Sequence, residues 1–108
     1  TVFNWASNSK PLCAVAALQL AEQGKLDLDA DIRTYVPEFP GQTKITDRQL
    51  LCHQSGIPHY GNGLIVPSPQ RNAKTRPLSD PVFALDVFSA SPLLYSPGKK
   101  TSYSSYAY

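Results

Sequence analysis

Apolar residues crowd one stretch of this chain and are scattered over the rest. From Leu12 to Ala21 nearly every position is apolar, Gln19 alone interrupting, and the residues are good helix formers. The pattern predicts a helix over 10–23, with Pro11 tolerated in its first turn and Gly24 just past its end as the left-handed terminator. A helix that is apolar all round is expected to be buried all round, against partners that this short chain need not contain.

Beyond Gly24 the pattern breaks into short pieces. Asp29 is expected to cap a short helix with Ile32, Tyr35 and Val36 on one side, stopped by Pro37 and Pro40. Thr46-Asp47-Arg48-Gln49 reads as a capping box that opens a third helix at Leu50-Leu51-Cys52, broken at Ser55-Gly56-Ile57-Pro58. Residues 60–78 have no period and read as a long surface loop. Ser79-Asp80-Pro81 starts another helix, with Asp or Ser capping and Pro at the first helical position, which ends near Ser91-Pro92. Ser96-Pro97-Gly98-Lys99 is a turn, and Thr101 to Tyr108 is expected to be extended. No segment has the alternation of a sheet strand. There is no internal repeat and no low-complexity tract.

At 108 residues the chain is of single-domain size, and 42% apolar with 17% charged residues makes it globular in type. Ten prolines, concentrated after residue 36, agree with short elements joined by turns. The net charge of +2 comes from interspersed residues, with Lys99-Lys100 the one adjacent basic pair, so nothing points to nucleic acid. No apolar run approaches the roughly 20 residues of a transmembrane segment. Thr1-Val2-Phe3-Asn4-Trp5 lacks the basic region and cleavage site of a signal peptide. The chain has no Met and starts in mid-phrase, and is therefore expected to be a piece of something longer. Cys13 and Cys52 lack a Cys-x-x-Cys spacing, and read as two buried small hydrophobes, a disulfide between them staying open.

The candidate chemistry is Ser7-Asn8-Ser9-Lys10. Residues three apart on a helix share a face, so the Lys10 amine can reach the Ser7 hydroxyl. By composition alone about 0.6 such Ser-x-x-Lys matches are expected, so the spacing is weak evidence taken singly. A second match, Ser96 to Lys99, has Pro97 and Gly98 inside it and is a turn. Ser7 instead stands at the mouth of a helix, where free N–H groups favour developing negative charge. The plainer reading is that Ser7 is only a helix cap.

Further phrases follow in order: Leu18-Gln19-Leu20-Ala21-Glu22-Gln23-Gly24-Lys25-Leu26-Asp27-Leu28-Asp29, Tyr35-Val36-Pro37-Glu38-Phe39-Pro40, and Leu50-Leu51-Cys52-His53-Gln54-Ser55-Gly56-Ile57-Pro58. With Ser7 to Leu12 they resemble the serine β-lactamase (class C), D-alanyl-D-alanine carboxypeptidase and penicillin-binding-protein superfamily. They are also similar to the β-lactamase-like serine peptidases of bacteria and mitochondria. The resemblance runs over essentially the whole chain. It implies an α/β (α+β) serine β-lactamase/transpeptidase-like fold in the parent protein. Residues 1–108 would be a partial catalytic domain, mainly its helical part, from the nucleophile helix to a Tyr-x-Ser box, with the core sheet largely missing.

The resemblance also implies roles. Ser7 is the acylated nucleophile and Lys10 the group that takes its proton. The family's Tyr-x-Asn box falls on Tyr103-Ser104-Ser105, so Tyr103 is the third catalytic residue and Ser105 holds the substrate-binding position in place of the amide. A third box, Lys or His followed by x-Gly, has no match. Lys100-Thr101-Ser102 precedes the second box and is a decoy, and Ser79-Asp80-Pro81 imitates a Ser-Asp-Asn box but is a helix start. The implied substrate is a β-lactam, a D-alanyl peptide, or a simple ester or amide. The implied compartment is periplasmic or secreted in bacteria, or mitochondrial. No cofactor is implied.

A lysine ordinarily titrates near 10.4, so serving as a base at pH 7 requires a fall of about three pH units, about 4 kcal/mol. Lys10 and Tyr103 are therefore read as one coupled pair, neutral amine with phenol or ammonium with phenolate. The oxyanion would use the Ser7 N–H and a second N–H on the strand of the third box. His53 as the base of a Ser-His-Asp system finds no Gly-x-Ser-x-Gly elbow, and by the resemblance His53 and Ser55 belong to a structural turn. His59 and Tyr60 stand at the pocket edge or on an exposed loop. A Cys52-His53-His59 metal site has poor spacing. A truncated, noncatalytic relative that binds or scaffolds is the competing class.

Overall fold

The computed structural model describes residues 1–68 and 81–108. Helix α1 runs Lys10–Glu22, within a residue of the expected span. Gly24, at φ +68°, ends it. Lys25 N–H donates to the Leu20 carbonyl (2.9 Å) and Gly24 N–H to that of Ala21 (3.0 Å), which satisfies two of the carbonyls that a helix end leaves open. Before α1, Ala6–Ser9 form one 3-10 turn that leads directly into it.

The expected burial of α1 does not occur among the described residues. None of its residues is buried, and Leu12, Val15, Leu18 and Leu20 are 59%, 52%, 49% and 43% exposed. Lys10, Ala14, Ala17 and Ala21 are half-buried and lie on one face, so the side turned to the rest of the chain carries only small residues and one amine. The physical reason for the difference is that an evenly apolar helix needs cover on every side, and the described residues cover one. No described helix is long and apolar enough to cross a membrane.

Asp29 does not cap the next element. That element is a 3-10 turn, Ile32–Thr34, capped by Asp31, whose carboxylate accepts from Arg33 N–H at 3.0 Å. Asp31 is extended immediately before the turn, where a cap must stand, whereas Asp29 is held in a two-bond pair with Arg48 (2.7 and 2.8 Å). The capping box of α2, Asp47–Leu51, forms in full. Gln49 N–H donates to Thr46 Oγ1 (3.2 Å) and Thr46 N–H to Gln49 Oε1 (3.1 Å). The last helical element, Pro81–Val87, is 3-10 throughout. Its expected Ser79-Asp80 cap, and the second half of the 60–78 loop, lie outside the described residues.

No strand forms among the described residues. A single antiparallel bridge joins Asp31 and Thr46, and residues 101–108 are irregular, closing in a turn instead of running extended. The core gathers Ile32, Phe39, Ile45, Ile57, Phe88 and Ala107, with Phe39 and Phe88 edge to face at 6.4 Å. It joins the middle of the chain to its end, and α1 stands to one side. Gly56 sits at this junction at φ +79°, and a Cβ there would lie 2.3 Å from the Tyr95 carbonyl oxygen.

Gly56→Ala is expected to cost more than about 2 kcal/mol, from the left-handed backbone and the clash together. Thr46→Ala is expected to cost about 1 kcal/mol by removing the cap. Denaturant midpoints of the full-length protein check both. The 1–108 polypeptide alone is expected to bind a hydrophobic dye through α1 and to melt without cooperativity, and a sharp two-state melt with no dye signal would contradict this.

Candidate active site

Ser7 lies in the 3-10 turn one residue after Ala6, which has φ +46°, a conformation that an alanine rarely takes. Local bonds hold it there. Ala6 N–H donates to Asn4 Oδ1 (2.8 Å), and Ser9 Oγ donates to the Ala6 carbonyl (2.7 Å). Ser7 makes no cap bond. Its Oγ accepts from Lys10 Nζ at 3.0 Å and shares a 2.6 Å hydrogen bond with the Tyr103 hydroxyl. The helical spacing delivers Lys10 to Ser7, and long-range folding delivers Tyr103.

Tyr103 is brought in by the segment around it. Ser102 N–H donates to the His53 carbonyl (2.8 Å), Ser104 N–H to His53 Nδ1 (3.3 Å) and Ser105 N–H to His59 Nδ1 (3.2 Å). Ser104, fully buried, donates its hydroxyl to the Pro58 carbonyl at 2.9 Å. The Tyr103 ring lies 4.6 Å from the His53 ring and 5.3 Å, edge-on, from that of His59. The Lys10 amine stands 5.1 Å from the centre of the Tyr103 ring and 5.8 Å from that of Tyr108.

The Lys10 amine beside the phenol, first, and then the Ser105 and Ser7 hydroxyls lower Tyr103 from 10.0 to about 8. The phenolate form of Tyr103 is thereby brought closer to neutral pH. The arrangement is able to move the Ser7 proton to Tyr103 along the 2.6 Å bond and leave an alkoxide facing an ammonium.

Ser7, Lys10 and Tyr103 are thus in contact, and Ser105 Oγ donates to the Tyr103 oxygen at 3.4 Å. The other matches stay apart from them. Ser96 and Lys99 form a turn closed by Lys99 N–H on the Ser96 carbonyl (3.1 Å), and Ser102 in the Lys-Thr-Ser match accepts from Asn62 Nδ2 (3.0 Å). Cys13 and Cys52 are free and exposed, not buried as expected, because α1 is uncovered and Cys52 ends α2 at the surface. Among the described residues no three His, Cys, Asp or Glu side chains gather closely enough to hold a metal. Two features were missed from sequence. The strain at Ala6 has no sequence signal. The use of His53, which follows α2 at φ +56°, and of His59 as acceptors had none either, since their amide partners lie 51 and 46 residues away.

Tyr103 is expected to ionise near 8, visible as a phenolate absorption step that Tyr103→Phe removes. Lys10→Met is expected to move that step back toward 10.

A family model described as Beta-lactamase matches residues 1–108. The putative penicillin-binding protein PbpX of Bacillus subtilis is 46% identical over 69 residues, 62% of this chain and 18% of its own length. The human serine beta-lactamase-like protein LACTB, mitochondrial, is 48% identical over 66 residues, 56% of this chain and 12% of its own. Protein flp of Staphylococcus aureus is 33% identical over 113 residues, covering 100% of this chain and 21% of its own length. The chain therefore spans about a fifth or less of these relatives.

Proposed function

The chain belongs to the beta-lactamase family, related to serine hydrolases, and on that premise we propose that it carries the nucleophile, Lys and Tyr of an acyl-enzyme serine hydrolase. The observation that carries the reading is the Ser7 hydroxyl held at once by Lys10 (3.0 Å) and Tyr103 (2.6 Å). Residues 1–108 are then a partial catalytic domain of an α/β (α+β) parent, with the rest of the site on a strand outside them.

In this mechanism Ser7 Oγ attacks the acyl carbonyl carbon while Tyr103, as phenolate, takes its proton. Lys10 keeps its cation against both oxygens and offsets the negative charge as it moves from one to the other. The carbonyl oxygen becomes an oxyanion beside the Ser7 N–H, which lies in the first turn of its segment, where N–H groups lack intrahelical acceptors. Collapse breaks the acyl bond, and Tyr103 returns the proton to the leaving amine or alcohol. Water, deprotonated by Tyr103, then attacks the acyl carbon, and as the bond to Ser7 Oγ breaks Tyr103 returns that proton to Oγ, which restores both groups.

The substrate class is a β-lactam, a D-alanyl peptide, or a simple ester or amide. Ser105 bears on the choice. Its hydroxyl is engaged with Tyr103 at 3.4 Å, and it is shorter than the amide of the Tyr-x-Asn box, so one substrate-orienting bond is missing. Esters and simple amides, which depend less on that bond, are favoured over β-lactams.

In the full-length protein, Ser7→Ala is expected to reduce covalent labelling by a fluorophosphonate at least about a thousandfold, while Ser96→Ala keeps it. Labelling that survives Ser7→Ala removes the assignment.

A further inference from the structure

We propose that His53 and His59 are positioning residues that clamp the Tyr103–Ser105 segment through their Nδ1 atoms, and that protonation of His53 opens the clamp and disarms Tyr103. The proposal rests on the reading of Tyr103 as the base of Ser7.

Both imidazoles face the segment as acceptors. His53 Nδ1 takes the Ser104 N–H (3.3 Å) and His59 Nδ1 the Ser105 N–H (3.2 Å), so each ring must carry its proton on Nε2. Each ring also packs on the phenol between those two bonds, His53 at 4.6 Å and His59 at 5.3 Å. A proton added at His53 Nδ1 would set one N–H against another. Ser104 is fully buried, so its N–H would lose its partner without gaining water. The segment must then shift, and Tyr103, one residue away, moves with it.

Among the groups facing His53, Lys10 and His59 oppose its charge. Lys10 comes from α1 and His59 from the following loop, while the Tyr103 and Tyr108 rings pack on it at a tilt from the end of the chain. Burial, then the Lys10 charge, then His59 hold His53 below its ordinary 6.5. The direction follows from linkage. A lowered value means that the folded site prefers the neutral ring, so the clamp is complete above about 6.5 and is lost as pH falls through the lower folded value.

The full-length protein is labelled with a fluorophosphonate across pH, and Ser7 labelling is timed. One proton, that of Tyr103 near 8, makes the rate fall about tenfold per pH unit below 8. Once pH falls through the His53 value, which lies below 6.5, the clamp adds a second proton, and the fall steepens toward about a hundredfold per unit. His53→Asn places an amide oxygen where Nδ1 stood, tolerates φ +56° and does not titrate. It is expected to label at pH 8 within about threefold of the unmodified protein and to lack the steepening, whereas His53→Leu labels about tenfold more slowly. A steepening that persists in His53→Asn, or a His53→Leu protein as fast as the unmodified one, overturns the proposal. Imidazole nitrogen resonances provide a readout that needs no catalysis. Proton on Nε2 at both histidines supports the clamp, and proton on Nδ1 at His53 overturns it even if Ser7 never labels, an outcome that would separately remove the catalytic reading.

Discussion

The N–H groups of Ser102, Ser104 and Ser105 have no sheet to bond to among the described residues, and the rest of the site depends on how they are satisfied. Buried amides without partners are costly, so the segment can lie only where acceptors are supplied. The run from His53 to His59 supplies them, with one backbone carbonyl and two ring nitrogens, and Pro58 accepts the Ser104 hydroxyl. Tyr103 is therefore held by side-chain acceptors where a strand ladder would ordinarily serve. Gly56 lies inside the same run, and its approach to the Tyr95 carbonyl leaves no room for a side chain. The tightness of that turn and the placement of the phenol are one constraint.

The other half of the site is held by helix geometry. α1 presents Lys10 and three alanines toward the chain, and the small residues let the helix come close enough for its first amine to reach a phenol from the chain's end. Ala6 adds strain directly before Ser7, offset by the Asn4 and Ser9 bonds around its peptide. A regular helix turn would have left the Ser7 hydroxyl free to cap. The bent one turns it toward Lys10 and Tyr103.

Local rules made much of this legible from residues alone. Gly24, the Thr46–Gln49 box and the Ser96–Lys99 turn each follow from interactions within a few residues, and each formed where expected. The cap at Asp29 failed because Arg48, nineteen residues on, competes for its carboxylate, and no local pattern encodes that. Burial of α1 failed for a similar reason, since apolar character states a need for cover and not its source. The contact of Ser7 with Tyr103 was reached only through resemblance, because nothing in either short motif specifies the other. The histidine acceptors were hidden more deeply, since a ring nitrogen's role depends on which amide the fold sets against it.

Ser7 and Tyr103 lie 96 positions apart, and this separation has a consequence for the chain as it is made. The ribosome delivers the N-terminal side first, so the serine emerges with Lys10 beside it long before the phenol exists. Until residue 103 leaves the exit tunnel and closes that long loop, the hydroxyl lacks the partner it holds at 2.6 Å in the folded chain. The contact of Ser7, Lys10 and Tyr103 is therefore a property of the completed segment and of no shorter nascent chain.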